Sequence, residues 1–147
     1  MDATGVALRR FIYDHLIEHG LPPSLERIGS RFGWPTDRAR NEVGSMKIGK
    51  AILPHPNTGE IWMAGPFAGS RTTFEISAGG TVWYANCAWD MLGVATILDR
   101  DVTMKASCAD CGEVLEAKAI GSRVEPRDYI AHFYLPASEW YDDIGFT

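Results

Sequence analysis

The chain is poor in cysteine and has no long apolar run, and both shortages narrow what it can be. Its 147 residues include three cysteines, Cys87, Cys108 and Cys111. An odd count this small argues against a disulfide framework. Free thiols in a reducing compartment suit metal or nucleophile chemistry better. No stretch reaches the roughly 18 consecutive apolar residues that a membrane span requires. The N-terminus carries no apolar segment after basic residues, so no secretory signal is read there. A cytoplasmic protein without a membrane partner is expected. Internal repeats and low-complexity segments are also missing. Histidine offers little: His15, His19 and His55 carry no motif, and His132 alternates with apolar neighbours as a structural residue of a strand would.

What is present describes a folded globular chain. Hydrophobic residues make up 46% and charged residues 22%, the balance of a protein with a packed core. The length fits one ordinary domain, or two very small ones sharing a core. The net charge of −5 is uneven, with residues 1–50 at +2 and the remainder at −7. The first third tolerates a polyanion and the rest repels one.

Leu8, Phe11, Ile12 and Leu16 recur at the spacing of one helix face, and Gly20 with Pro22-Pro23 stops that helix. Ser24 is a suitable N-cap for a second helix ending at Gly33, with Leu25, Ile28 and Phe32 inward. Thr36 can cap a third helix, with Ala39, Val43 and Met46 inward. Two short strands follow at 51–53 and 61–63, joined by a turn-rich connection. Three helices and a β-hairpin make a winged-helix-like pattern. Beyond Pro66, strands are predicted at 72–76 and 81–84 around Ala78-Gly79-Gly80, then a helix over 86–98, then strands at 102–107, 114–119 and 129–135. The predicted fold is α+β: a winged-helix-like three-helix bundle with a hairpin over 1–65, then a small, mostly antiparallel sheet with a central helix over 66–147.

Asn86-Cys87-Ala88-Trp89-Asp90 opens the central helix and is the most informative stretch. On a helix, Cys87 and Asp90 share a face, three residues apart. A sulfur that binds soft metals would then sit beside a group that holds or delivers a proton. The helix N-terminus favours thiolate, and a nearby carboxylate opposes it unless it is itself protonated. Asp90 can therefore hold the proton that Cys87 gives up. The plainer reading is a small buried cysteine and an aspartate capping the helix start.

Cys108-Ala109-Asp110-Cys111-Gly112 places a Cys-x-x-Cys turn between two strands. The spacing suits a zinc knuckle, yet a closed zinc site needs four ligands and no second pair exists. Cys108 and Cys111 are read as a tight turn with weak metal-clip character. Arg38, Arg40 and Asn41, flanked by Lys47 and Lys50, could meet phosphate or bases. A charge of +2 is a thin footprint for DNA, so nucleic acid is not the expected partner. Trp83, Tyr84 and Trp89 surround the Cys-Asp pair, with Trp140 and Tyr141 near the end. They serve the core, or wall an apolar pocket.

Trp83-Tyr84-Ala85-Asn86-Cys87-Ala88-Trp89-Asp90, the Ser107-Cys108 strand end and Thr58-Gly59-Glu60-Ile61-Trp62-Met63-Ala64-Gly65-Pro66-Phe67 resemble the organomercurial (alkylmercury) lyase family. The resemblance covers nearly the whole chain. It implies protonolysis of carbon–mercury bonds, giving a hydrocarbon and Hg(II), by two cysteines and one aspartate. Cys87 would be the mercury-binding thiolate, since thiolate is the soft ligand mercury prefers, and Asp90 the proton donor and a neighbouring mercury ligand. It also implies a small organometallic substrate, no organic cofactor, thiols as co-substrates, and a mercuric reductase or other thiol acceptor for the product. The family's second cysteine would follow a segment like 140–147, so a C-terminally shortened core with impaired turnover is expected, and with it uncovered apolar surface and homo-oligomers. Two alternatives stay open: a non-catalytic, metal-responsive DNA-binding module, and a same-fold enzyme acting on a different substrate.

Overall fold

A computed structural model describes residues 2–49, 51–121, 123–140 and 142. Lys50, Tyr141 and most of segment 140–147 lie outside the described residues. The fold is α+β, with four helices and two antiparallel sheets.

Helix α1 (Ala3–His19) starts where the Asp2 carboxylate accepts the Gly5 N–H at 2.8 Å. It ends at Gly20, which adopts a left-handed φ of 83°. Leu8, Ile12 and Leu16 are buried as their spacing requires. Helix α2 (Leu25–Phe32) has the expected Ser24 cap and left-handed Gly33 stop. The Glu60 carboxylate accepts a further N–H at its start, from Leu25. Helix α3 (Thr36–Ser45) differs by one position: Pro35 is the N-cap and Thr36 the first helical residue, with no side-chain cap bond. The proline ring fixes φ and sets the boundary without a hydroxyl.

Strands β1 (Ile52–Pro54), β2 (Ile61–Ala64) and β3 (Phe67–Ala68) form the first sheet in that order. The sequence predicted two strands here. The third, β3, comes from beyond the expected boundary near residue 65. The second sheet runs β5-β4-β6-β7-β8, from β4 (Glu75–Ala78), β5 (Thr81–Tyr84), β6 (Val102–Ser107), β7 (Val114–Ile120) and β8 (Arg123–Glu125). Gly79 and Gly80 both take positive φ in the two-residue turn joining β4 to β5, a conformation that favours glycine. Helix α4 (Ala88–Leu98) connects edge strand β5 to β6 and buries Met91, Val94 and Leu98.

The predicted strand at 129–135 is absent. The chain there is irregular, and Ile130 and Tyr134 are 91% and 82% exposed. Pro126 follows β8 directly and has no N–H to continue a ladder. His132 is therefore an exposed loop residue, not a structural residue of a strand.

One hydrophobic cluster spans both halves, from Leu8, Ile12 and Leu16 to Phe67, Ile76, Trp83, Val94, Met104 and Ala119. At its centre the Trp83 indole N–H donates to the Leu16 carbonyl at 2.9 Å and the Ile17 carbonyl at 3.2 Å. These belong to the last turn of α1, where the Leu16 carbonyl also accepts the Gly20 N–H at 2.9 Å, so the indole is a second donor to that helix end. Trp83→Phe keeps an aromatic ring and removes this donor. The expected loss is about 1–3 kcal/mol, read as a fall in Tm of several degrees in thermal denaturation. An unchanged Tm would show that the junction contributes nothing.

Candidate active site

The site is built at the point where β5 becomes α4. Ala85 is fully buried there, its N–H donating to the Phe74 carbonyl and its carbonyl accepting from the Thr72 hydroxyl at 2.7 Å. Cys87 follows as the N-cap of α4, in extended backbone. That makes Asp90 the third residue of the helix. N-cap and third residue face each other across the first turn, as in a capping box. The predicted sharing of one face is thus realised by a capping relation, with the cysteine just outside the helix.

Both groups are half-buried. Burial pushes the Cys87 thiol up. The N–H groups of Asp90 and Trp89 pull it back, while the Asp90 carboxylate adds to the rise. Burial likewise raises the Asp90 carboxyl, against hydrogen bonds from Asn86 and from the Cys87 thiol. The pair therefore retains protons more readily than the free groups, and the two side chains lie within hydrogen-bonding reach of each other.

Asn86 was not singled out by sequence reasoning. Its Nδ2 donates to Asp90 Oδ2 at 3.0 Å and to the Pro66 carbonyl at 3.2 Å. The preceding residue, Gly65, accepts from the Tyr13 hydroxyl at 2.8 Å. A run of hydrogen bonds thus ties α1 to the acid. No sequence signal marks it, because its members are far apart in the chain.

A cleft of about 500 Å³ opens beside Cys87. Asn86, Cys87 and Ala88 line one side, Ser107, Cys108 and Asp110 another, and His132 to Leu135 a third. A more apolar cleft of about 370 Å³ adjoins it, lined by Met91, Leu92, Met104, Val124 and others, with Ala88, Ala106, Leu115, Ile130 and Ala131 common to both. Trp83 and Tyr84 are core residues, whereas Trp89 is 59% exposed and walls a groove with Phe133 and Trp140.

Cys108 and Cys111 lie in the β6–β7 turn, closed by the Cys108 N–H to the Glu113 carbonyl at 2.8 Å and the Gly112 N–H to the Cys108 carbonyl at 2.9 Å. No group of three His, Cys, Asp or Glu able to hold a metal occurs among the described residues. A zinc knuckle of the four-ligand kind is thus not assembled there. On α3, Arg38 lies over the Trp34 ring at 4.8 Å and pairs with Glu42, and Arg40 donates to the Thr58 carbonyl. Both arginines expected to meet DNA make contacts within the fold. No helix among the described residues is long and apolar enough to cross a membrane.

The alkylmercury lyase family model matches residues 67–146, more than half of the chain. The chain belongs to the alkylmercury lyase family. Solved structures with a similar fold include the mercury-bound form of MerB2, with a TM-score of 0.62 and 23% identity over 84% of this chain and 59% of that one. At that identity the likeness is one of fold, and this chain spans about three-fifths of that protein's length. No curated protein matches.

Within this lyase fold the raised Asp90 carboxyl has a stability consequence. The folded state holds the Asp90 proton to higher pH than the unfolded chain does. This contribution favours folding at low pH and is lost as pH rises through the folded pKa. Asp90→Asn keeps an oxygen for Asn86 and removes the half-buried charge. It is expected to be at least as stable as the parent at neutral pH, with the difference closing on acidification. A lower Tm for Asp90→Asn at neutral pH, in a melting series across that range, would contradict this.

Proposed function

We propose that this chain cleaves carbon–mercury bonds by protonolysis, with Cys87 as the mercury ligand and Asp90 as the acid. The supporting observation is the thiol–carboxyl contact across the first turn of α4, with Asn86 holding the carboxyl in place. Family membership supplies the substrate class.

The steps balance without an oxidant or organic cofactor. An organomercury cation binds the Cys87 sulfur, and the thiol proton moves to the Asp90 carboxylate. The upward shift of the free thiol is no obstacle, because a coordinating soft metal displaces the proton. The carbon–mercury bond then breaks heterolytically. Its electron pair takes the proton from Asp90, releasing the hydrocarbon. Mercury(II) stays on the sulfur and Asp90 returns to carboxylate. An acid whose pKa is raised by burial suits the second step, since it keeps the proton until carbon takes it. The adjoining apolar cleft offers room for the organic substituent. Cellular thiols, or a mercuric reductase, then accept the metal.

Two variants separate the roles. Cys87→Ser is expected to release no hydrocarbon from phenylmercury. Asp90→Asn is expected to retain phenylmercury on Cys87 while releasing benzene roughly 10²–10⁴-fold more slowly, the usual contribution of a general acid. Gas chromatography of benzene and mass spectrometry of the adduct provide the readouts. Release by Asp90→Asn at the parent rate would remove the acid from the mechanism.

A further inference from the structure

We propose that Cys108 and Cys111 form a dithiol site for mercury(II) on the wall of the Cys87 cleft, receiving the ion after the hydrocarbon has left. The proposal rests on the organomercurial reading above. Three observations carry it. First, Cys87 and Cys108 line one cleft, from α4 and from the end of β6 respectively. Second, the β6–β7 turn, closed by the Gly112 N–H on the Cys108 carbonyl at 2.9 Å and the Cys108 N–H on the Glu113 carbonyl at 2.8 Å, doubles the chain back between Cys108 and Cys111 and holds the two cysteines in one tight turn. Third, Cys108 is half-buried whereas Cys111 is exposed. The pair therefore reaches from the cleft wall to solvent.

The donor set is two sulfurs, and among the described residues no third His, Cys, Asp or Glu joins them in a group able to hold a metal. That is too few ligands for zinc, which takes four in a closed site. It suits a soft ion that is satisfied by two thiolates.

The transfer balances. Mercury(II) on Cys87 forms bonds to the sulfurs of Cys108 and Cys111 and loses its bond to Cys87. Of the two protons displaced from the dithiol, one returns to the Cys87 sulfur and one goes to solvent. Nothing is oxidised or reduced. Cys87 is left as a free thiol for the next substrate, and the ion sits where external thiols can reach Cys111.

The test is a thiol footprint on the reduced full chain loaded with one equivalent of mercuric chloride. Free cysteines are alkylated and mapped by mass spectrometry. The expected pattern is Cys87 alkylated, with Cys108 and Cys111 protected. Any pattern with Cys87 protected, or with Cys108 or Cys111 alkylated, overturns the proposal. Cys87→Ser, which cannot cleave substrate, should still bind one mercury(II) with the same protection. Cys111→Ser, at an exposed position, should move protection to Cys87, and continued protection of Cys108 alone would also count against the dithiol. Failure of the organomercurial reading would appear instead as no hydrocarbon release from phenylmercury by the parent chain, or as release independent of Cys87 and Asp90, so the two failures are distinguishable.

Discussion

The indole N–H of Trp83 on the last carbonyls of α1 is the contact on which the site geometry depends. It fastens the N-terminal helix to edge strand β5, and β5 leads within three residues to Cys87. A tryptophan so completely buried needs a partner for its one donor, and helix ends need partners for their carbonyls. The indole finds its acceptors there, and the Leu16 carbonyl gains a donor beside the Gly20 N–H. The same helix reaches the site by a second route, through the Tyr13 hydroxyl on Gly65 and the Pro66 carbonyl on Asn86. Helix α1 therefore braces the site, although it contributes no reactive group to it.

The thiol and the acid occupy a place that a stability-driven design would fill otherwise. An N-cap is best served by serine, threonine, aspartate or asparagine. Cys87 is a poor cap, and its side chain forms no cap hydrogen bond. The carboxyl at the third position is half-buried and raised by that burial. Both features cost stability and leave the first turn chemically responsive. Such local concessions are commonly found at functional sites.

Much of this was legible in the sequence, for identifiable reasons. The helix faces of α1 and α2, the Ser24 cap and the Gly20 and Gly33 stops follow from spacing and backbone chemistry, and all appear in the structure. The Cys87–Asp90 relation was legible because a spacing of three has a fixed meaning on a helix. The strand expected at 129–135 did not form. Its alternation was real, but a period of two specifies a strand only where a neighbour offers a ladder, and the last strand in the sheet is β8. The anchoring of Asn86 to the Pro66 carbonyl and the sharing of one cleft by Cys87 and Cys108 were illegible, because both arise from contacts between segments distant in the chain, whereas the Asn86–Asp90 bond, four residues apart, was within reach of spacing but was not drawn. Arg38 and Arg40 looked like free cations in the sequence, and only tertiary contacts show them engaged.

Asn86 has a stereochemical consequence. Its amide nitrogen commits hydrogen bonds to the Pro66 carbonyl and to Asp90 Oδ2. A hydrogen bond accepted at Oδ2 lowers the proton affinity of that oxygen, which favours Oδ1 as the oxygen that takes up a proton. In the proposed cycle the same atom receives the proton from sulfur and delivers it to carbon, without rotation of the carboxyl between the two steps. A single neutral amide thereby makes a symmetric carboxylate asymmetric and gives the acid one working side.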